Sequence, residues 1–195
     1  MTIRENIARQ LVESAETKKE MVELCLSDIE KAAELMIGAV QKKKKILWCG
    51  NGGSAAQCQH LSTELVGGLR SHDRKAIPSV SLTTDSSLLT AWTNDSDFET
   101  VFSRQVEALG EAGDVLVALS TSGNSKNVIE AIKCADTRGI YTVVLTGKSG
   151  GLLSNSGSVT IRIPSDDTQR IQEGHITAGH ILCELVENSI RGDEF

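Results

Sequence analysis

A regular alternation of short apolar runs with amphipathic segments, which begins at Lys45, constrains the fold more than any other feature of this sequence. Five runs rich in β-branched residues have the length of strands, and patterns with helical spacing separate them. Such alternation is typical of βαβ units and predicts an α/β fold with a parallel sheet. The predicted strands span residues 46–49, 77–82, 115–119, 141–145 and 159–163. The predicted helices span residues 54–65, 86–92, 98–109, 125–137 and 168–190, with a short piece near Leu152.

The N-terminal segment is predicted to be helical, because residues 3–41 contain no proline and carry apolar side chains at helical spacing. We expect two helices, with a break near residues 14–17 or near residues 27–28. Ser27 followed by Glu30 matches a capping box. A helical pair outside a compact α/β core usually packs on a partner subunit. We therefore interpret residues 1–195 as a single domain in which residues 1–42 serve packing and oligomerisation.

The charge of the chain argues against nucleic acid as a partner. The formal net charge is -6 and the sequence pI is about 5.3, whereas nonspecific binding to nucleic acid depends on clustered Lys and Arg. The basic run at residues 42–45 is interpreted as a complement to the dipole at a helix C-terminus. If the ligand is an anion, local groups must therefore hold it.

No membrane partner is expected, since apolar stretches such as residues 115–119 are far shorter than the ~20 residues that a spanning helix requires. The N-terminus carries acidic residues and no uninterrupted apolar core, so we expect no targeting peptide and a cytoplasmic protein. The five cysteines include no C-x-x-C pair and are expected to be buried, reduced thiols.

A glycine-rich loop follows the first predicted strand and leads directly into a helix. Glycines at residues 50, 52 and 53 would let the backbone approach an anion, and the unpaired N–H groups of the helix would point at it. The spacing of Gly50, Gly52 and Ala55 also satisfies the loose dinucleotide-binding fingerprint. A tight turn with only a structural role is the alternative.

A second polar loop, residues 120–125 with the sequence STSGNS, follows the third predicted strand and again enters a helix. A dinucleotide-binding enzyme needs one glycine loop and an acidic ribose contact, for which Asp85 is available, but the second loop has no role in that scheme. Four hydroxyls in six residues favour a phosphate monoester, which neutral donors can bind without a basic patch. A loop that only caps its helix is the alternative.

Two further clusters carry side chains suited to chemistry. Gln57, His60 and Glu64 are spaced three and four residues apart, so they share one helix face. Gln172 and His180 lie on neighbouring parts of one face of the last predicted helix. A lone His-x-x-x-Glu pair is most often a salt bridge, but both helices are predicted to begin near the phosphate loops. Two histidines, a carboxylate and an amide also form a suitable ligand set for zinc or a similar divalent ion.

These motifs together resemble the sugar-isomerase (SIS) domain family. The resemblance is carried by CGNGGS at residues 49–54, STSGNS at residues 120–125 and RIQE at residues 170–173 with His180, and it covers nearly the whole chain. It implies a flavodoxin-like three-layer α/β sandwich with a five-stranded parallel sheet plus N-terminal helices, assembled as a homotetramer with active sites at subunit interfaces. Within the family, the chain resembles the aldose–ketose isomerases that convert D-sedoheptulose 7-phosphate to D-glycero-D-manno-heptose 7-phosphate, the first step of nucleotide-heptose biosynthesis for lipopolysaccharide.

The resemblance also implies roles for individual residues of this sequence. Glu64 and His180 match the proposed acid/base pair of the family. One zinc ion per subunit would be held by His60, Glu64, Gln172 and His180. The residues expected to bind the sugar phosphate are Asn51, Gly52, Gly53, Ser54, Asn94, Asp95, Ser120, Thr121, Ser122, Ser125 and Gln172.

A noncatalytic member of the same family is the main alternative function. One bacterial relative serves as a tetrameric scaffold for the replication initiator protein, and such a module would not need Glu64 and His180 together. Some relatives have Asp at the position of Gln57. This difference concerns the surroundings of the site more than the reaction.

Overall fold

The fold alternates strands and helices along the chain, in a computed structural model that describes residues 1–191. The strands are β1 (Ile46–Gly50), β2 (Ser79–Ser81), β3 (Val115–Ser120), β4 (Tyr141–Thr146) and β5 (Val159–Arg162). The helices are α1 (Ile3–Leu24), α2 (Leu26–Gln41), α3 (Gly53–Gly67), α4 (Ser86–Asp95), α5 (Val101–Leu109), α6 (Lys126–Thr137) and α7 (Thr168–Arg191), with 3-10 turns at Phe98–Thr100 and Gly151–Leu153.

All five strands are parallel and lie in the order β2-β1-β3-β4-β5, which confirms the predicted α/β sheet. β2 is shorter than the predicted run at residues 77–82, because it is an edge strand that begins after Pro78, which has no N–H to donate. The chain leaves β1 toward β2 on one side and resumes with β3 on the other. This reversal places a crevice beyond the carboxyl ends of β1 and β3.

Two apolar cores, one on each face of the sheet, make the fold a three-layer sandwich. One core contains buried side chains of α2, α3 and α7, and the other contains those of α5 and α6. Strands β1 and β3 are buried along their whole length, because helices cover both of their faces. The sandwich therefore exposes the strand ends, not the strand faces, to a ligand.

The N-terminal segment forms two helices, and the break lies two residues before the second predicted position, near residues 27–28, rather than near residues 14–17. The junction lies at Cys25, which keeps a right-handed helical backbone with φ -115° and ψ -12°. The capping box predicted at Ser27 and Glu30 is wrong. Because the chain stays helical through the junction, the first N–H groups of α2 bond to preceding carbonyls and need no capping side chain. The capping box of this segment lies at Thr2 and Glu5.

The cysteines agree with the prediction of reduced thiols. All five are free, and four are buried, whereas Cys134 is partly exposed. Within residues 1–191, no helix combines the length and the apolar character that crossing a membrane requires.

Candidate active site

The two predicted phosphate loops leave the sheet at the same edge, side by side. Gly50 at the end of β1 is level with Leu119 in β3. The chain therefore enters the glycine loop and the serine loop from neighbouring points. Because the strand order reverses between these two strands, the loops border the crevice where α/β sheets bind ligands.

The first loop needs glycine at two positions. A Cβ on Gly50 would lie 2.9 Å from the Cβ of Ser54, and Gly52 has a φ of +55°, in the left-handed region. These glycines turn the chain directly from β1 into α3. Ser54 is buried, and its backbone N–H donates to the carbonyl of Asn51 over 3.0 Å.

The second loop is tight and packs against the loop after β4. The Ser120 hydroxyl lies 3.0 Å from the Ser125 hydroxyl and donates to it. Gly123 has a φ of +66°, and a Cβ there would overlap the carbonyl oxygen of Gly150. Ser122 Oγ accepts the N–H of Asn124 over 3.1 Å, so this hydroxyl also shapes the turn.

Within residues 1–191, side chains cap some helices of the fold, but not α3 and α6, which follow these loops, nor α2 and α5. Thr2 caps α1, Asp85 caps α4, and the carboxylate of Asp167 accepts backbone N–H groups at the start of α7. In contrast, no side chain caps α3 or α6 among the described residues. Ser125 precedes α6 without capping it, so the caps-only alternative fails, and Asp85 serves as a helix cap. Of the first-turn N–H groups, that of Ser54 bonds to the carbonyl of Asn51 and that of Val128 to the carbonyl of Ser125. Those of Gly53, Ala55, Lys126 and Asn127 remain available to an anion.

The histidine and glutamate side chains of α3 and α7 meet in one cluster. The Nε2 atoms of His60 and His180 are 2.7 Å apart, and Oε1 of Glu64 is 3.4 Å from Nε2 of His60. One ligand atom from each of the three residues lies within 4.8 Å of the others. Two imidazoles and a carboxylate suit zinc or a similar divalent ion. The simple salt-bridge alternative does not account for His180, which is 120 residues from His60 in sequence.

Gln172, near the start of α7, packs against the glycine loop. A Cβ on Gly53 would be 2.6 Å from Nε2 of Gln172, so the Gln172 amide packs directly on the loop. Nε2 of Gln57 donates to the backbone carbonyl of Gln172 over 2.7 Å, which ties α3 to α7 at the same level. The structure therefore places the predicted fourth ligand beside the predicted phosphate loop.

The family follows from comparisons with known proteins. Residues 11–147 match the SIS domain family. The phosphoheptose isomerase of Sulfurimonas denitrificans is 46% identical over 189 residues, covering 96% of each chain. The chain belongs to the phosphoheptose isomerase family. Among solved structures, the phosphoheptose isomerase of Neisseria gonorrhoeae is 44% identical with a TM-score of 0.90, and that of Francisella tularensis is 33% identical with a TM-score of 0.92; each match covers 96% of this chain and 100% of the other.

Not every residue carried over from the phosphoheptose isomerase pattern reaches the two loops. Asn94 and Asp95 lie exposed at the end of α4, where Nδ2 of Asn94 donates to Oδ1 of Asp95 over 2.8 Å. Within the described residues, no hydrogen bond joins either of them to the loops. Asn51 bonds to Asn127 instead of standing free. The roles of these residues toward the sugar stay predictions.

A buried ion pair of this chain has no clear signal in the sequence. Nε of Arg74 donates a hydrogen bond to the carboxylate of Glu187 over 2.7 Å. Nη2 of Arg74 donates to the backbone carbonyl of Glu64 over 2.8 Å. Glu187 also accepts three backbone N–H groups of the loop after α3, those of Leu69, Arg70 and Ser71. The pair thus links the end of α3, which carries Glu64, to α7, which carries His180.

A second buried titratable group, His175, lies on α7 and faces the carbonyl of Thr146. Burial lowers the pKa of His175 to about 4, although the Thr146 carbonyl acts in the opposite direction. Neither ring nitrogen has a hydrogen-bond partner of good geometry among the described residues. His175 is therefore neutral near pH 7 and belongs to the core rather than to the cluster of His60, Glu64 and His180.

Proposed function

We propose that this chain interconverts D-sedoheptulose 7-phosphate and D-glycero-D-manno-heptose 7-phosphate, the first step toward the nucleotide heptoses of lipopolysaccharide. The observation that carries the proposal is the convergence of Glu64 on α3 with His180 on α7, in a chain whose two predicted phosphate loops lead into helices without side-chain caps. Identity of 46% to a phosphoheptose isomerase over nearly the whole chain supports the same reaction.

The phosphate is proposed to bind between the two loops. The hydroxyls of Ser54, Ser122 and Ser125, with Thr121 nearby, would donate to its oxygens. The Ser120 hydroxyl would join them by turning its O–H away from Ser125. The backbone N–H groups around Gly52 and Gly53 and at the start of α6 would add charge-assisted hydrogen bonds. Neutral donors of this kind suit a chain whose net charge is -6.

The proposed chemistry uses Glu64 as the base and His180 as the acid. Glu64 removes a proton from C1 of the ketose, the electrons form an enediol(ate), and a proton returns to C2 to give the aldose. His180 moves protons among the oxygens at C1 and C2. The Glu64 side chain is only 16% exposed, so little water competes with the substrate for its carboxylate.

Zinc is the proposed cofactor, with one ion per subunit. The ion would be held by His60, Glu64, Gln172 and His180. The two imidazoles and the carboxylate converge, which fits the donors that zinc prefers. When bound, zinc supplies Lewis-acid charge that favours the developing oxyanion. A nitrogen that binds metal cannot carry a proton, whereas a carboxylate has two oxygens. Glu64 therefore combines the roles of ligand and base more easily than His180 combines ligand and acid.

We further propose a cytoplasmic homotetramer in which residues 1–42 contribute to assembly and the active sites lie at subunit interfaces. The side chain of His60 is 48% exposed in the single chain, so the metal cluster is open on one side. A neighbouring subunit that covers it would exclude water from the reaction, which strengthens the electrostatic interactions that catalysis needs.

Isotope exchange tests the function directly. The purified chain supplied with zinc is incubated with sedoheptulose 7-phosphate in deuterated water, and the products are followed by NMR. We expect deuterium at C1 and C2 and formation of the aldose. Glu64→Gln should abolish exchange while folding is retained, and Glu130→Gln, the same change at an exposed pair with Lys133, should not. Exchange retained in Glu64→Gln would remove Glu64 from the role of base.

The noncatalytic scaffold is an outcome of the same experiment. A zinc-loaded, folded wild-type chain that binds inorganic phosphate but shows neither exchange nor product would overturn the isomerase proposal. Binding to the replication initiator would then become the function to test.

A further inference from the structure

A pair of side-chain amides joins the glycine loop of the active site to the first turn of α6, directly after the serine loop. Nδ2 of Asn51 donates to Oδ1 of Asn127 over 2.8 Å, and Nδ2 of Asn127 donates to Oδ1 of Asn51 over 2.9 Å. We call these two side chains the amide pair. Asn127, on the first turn of α6, is 3% exposed, and Asn51 lies in the glycine loop.

The amide pair connects the segments that follow β1 and β3, beyond the last backbone hydrogen bonds of the sheet. The backbone ladder between β1 and β3 ends with Gly50 and Leu119. Past that level, the segment after β1 leads into α3 and the segment after β3 leads into α6. Two reciprocal hydrogen bonds between planar amides fix both distance and orientation, which a single bond would not.

The pairing also fixes what Asn51 can offer to a ligand. An amide has two N–H donors and two acceptor lone pairs, and Asn127 engages one of each. One N–H and one lone pair of Asn51 remain, in a direction set by Asn127. A buried amide without its partner would be costly, so Asn51 is held in this orientation as long as Asn127 is present.

We propose that Asn127 is a positioning residue for the bound sugar phosphate, which acts by holding Asn51 and thereby setting the separation of the two phosphate loops. This inference rests on the proposed function for the identity of the substrate. Its effect falls on binding, because Asn127 bonds to the glycine loop, and no hydrogen bond joins it to Glu64 or His180 among the described residues. Binding of the phosphate group depends on Asn127, whereas the proton transfer does not.

Asn127→Leu tests the inference, since leucine has a similar volume and cannot form the amide pair. Two readouts are used: calorimetric binding of inorganic phosphate, and the KM and kcat for sedoheptulose 7-phosphate. We expect phosphate binding to weaken and KM to rise by about 5- to 10-fold, the effect of losing roughly one net hydrogen bond, while kcat changes by less than about twofold.

A double-mutant cycle separates positioning from a merely structural role. In Asn127→Leu, the amide of Asn51 loses its partner, so the chain is also destabilised. Combining Asn51→Leu with Asn127→Leu replaces both amides by apolar groups and should recover much of that stability. We expect phosphate affinity in the double variant to equal that of Asn51→Leu alone, because Asn127 acts only through Asn51. Affinity that recovers together with stability, or losses that add, would overturn the inference.

Gln105→Leu is the matched control, because it also removes a buried amide. Nε2 of Gln105 donates to the carbonyls of Leu82 and Val101, away from the loops. This variant should keep the phosphate affinity of the wild type. Unchanged phosphate affinity in folded Asn127→Leu would contradict the inference. Phosphate binding does not require turnover, so failure of the isomerase proposal and failure of this inference give different results.

Discussion

At the scale of single residues, Gly53 is the position where the glycine loop touches α7. An added Cβ would lie 2.6 Å from the Gln172 amide, which is the far end of a flexible side chain and can move. We therefore predict that Gly53→Ala folds at least as stably as the wild type, since alanine favours a helix by up to ~1 kcal/mol over glycine. The displaced Gln172 should weaken the binding of zinc and substrate, measured by metal titration and by KM.

Gly38 provides the control for that substitution. It lies inside α2, and a Cβ there would meet no atom within 4 Å. Gly38→Ala should raise the unfolding temperature slightly and leave zinc binding unchanged. Wild-type zinc affinity and KM in Gly53→Ala would show that Gln172 serves neither ligand.

His175 gives a prediction about pH. Its pKa falls from 6.5 to about 4 on folding, because burial disfavours the charged ring. Between these values the unfolded chain binds a proton that the folded chain does not. The stability is therefore complete above pH 6.5 and falls with decreasing pH by up to about 1.4 kcal/mol per pH unit. His175→Leu should flatten this part of the profile in urea unfolding at pH 4.5–7. If the free energy of unfolding of His175→Leu fell with decreasing pH as steeply as that of the wild type, His175 would not be the source of this pH dependence.

At the scale of elements, the pair of Arg74 and Glu187 holds the ends of two helices together. Both side chains are almost fully buried. Burial alone would raise the pKa of Glu187, but the bond from Arg74 and the backbone N–H groups of Leu69 and Arg70 outweigh it and lower the pKa. The ionised carboxylate thus stabilises the fold above the unfolded-state pKa of about 4.3, and this contribution is lost as the pH falls through the lower folded-state pKa.

Glu187→Gln should destabilise the chain by about 3–5 kcal/mol near pH 7, because it leaves the buried Arg74 charge without its partner. The loop after α3 should also exchange amide hydrogens faster. Glu184→Gln, which removes the exposed pair with Arg70, is the control and should cost at most about 1 kcal/mol. Equal losses in the two variants, measured by urea unfolding, would contradict the role of the buried pair.

At the scale of the whole molecule, α1 is a long helix with little support inside one chain. Met21 is its only buried residue, whereas Ile3, Ile7 and Leu11 are more than half exposed and form one stripe at helical spacing. Arg170 on α7 bonds to the carbonyl of Gln10 and fixes the middle of the helix. An exposed apolar stripe on an anchored helix is typical of a subunit interface.

We predict that combining Ile7→Glu with Leu11→Glu converts the proposed tetramer into smaller species in light scattering, with helix content retained. Charge cannot be buried in an apolar interface without a partner. Leu109→Glu, an exposed apolar residue at the end of α5, is the control and should not alter assembly. A wild-type chain that is monomeric at micromolar concentration would refute the tetramer.

The sequence predicted the sheet and both loops because their signals are local. Periodicity indicates the strand runs, and local composition indicates the loops at residues 50–53 and 120–125. The junction at Cys25 was located only to within two residues, and its capping box was wrong, because a chain that stays helical through the junction leaves no capping side chain or glycine to mark it. The reciprocal bonding of Asn51 and Asn127 was missed because an asparagine after a serine loop has many possible partners.

By itself, the sequence determined the α/β class, the two anion-binding turns and the family, since each follows from residue order along a short segment. Only the tertiary structure decided that His60 and His180 meet, that Gln172 packs on Gly53, and that Arg74 and Glu187 connect α3 with α7. The physical reason is that these contacts join positions 113 to 120 residues apart, and their distances depend on how two helices cross over the whole core.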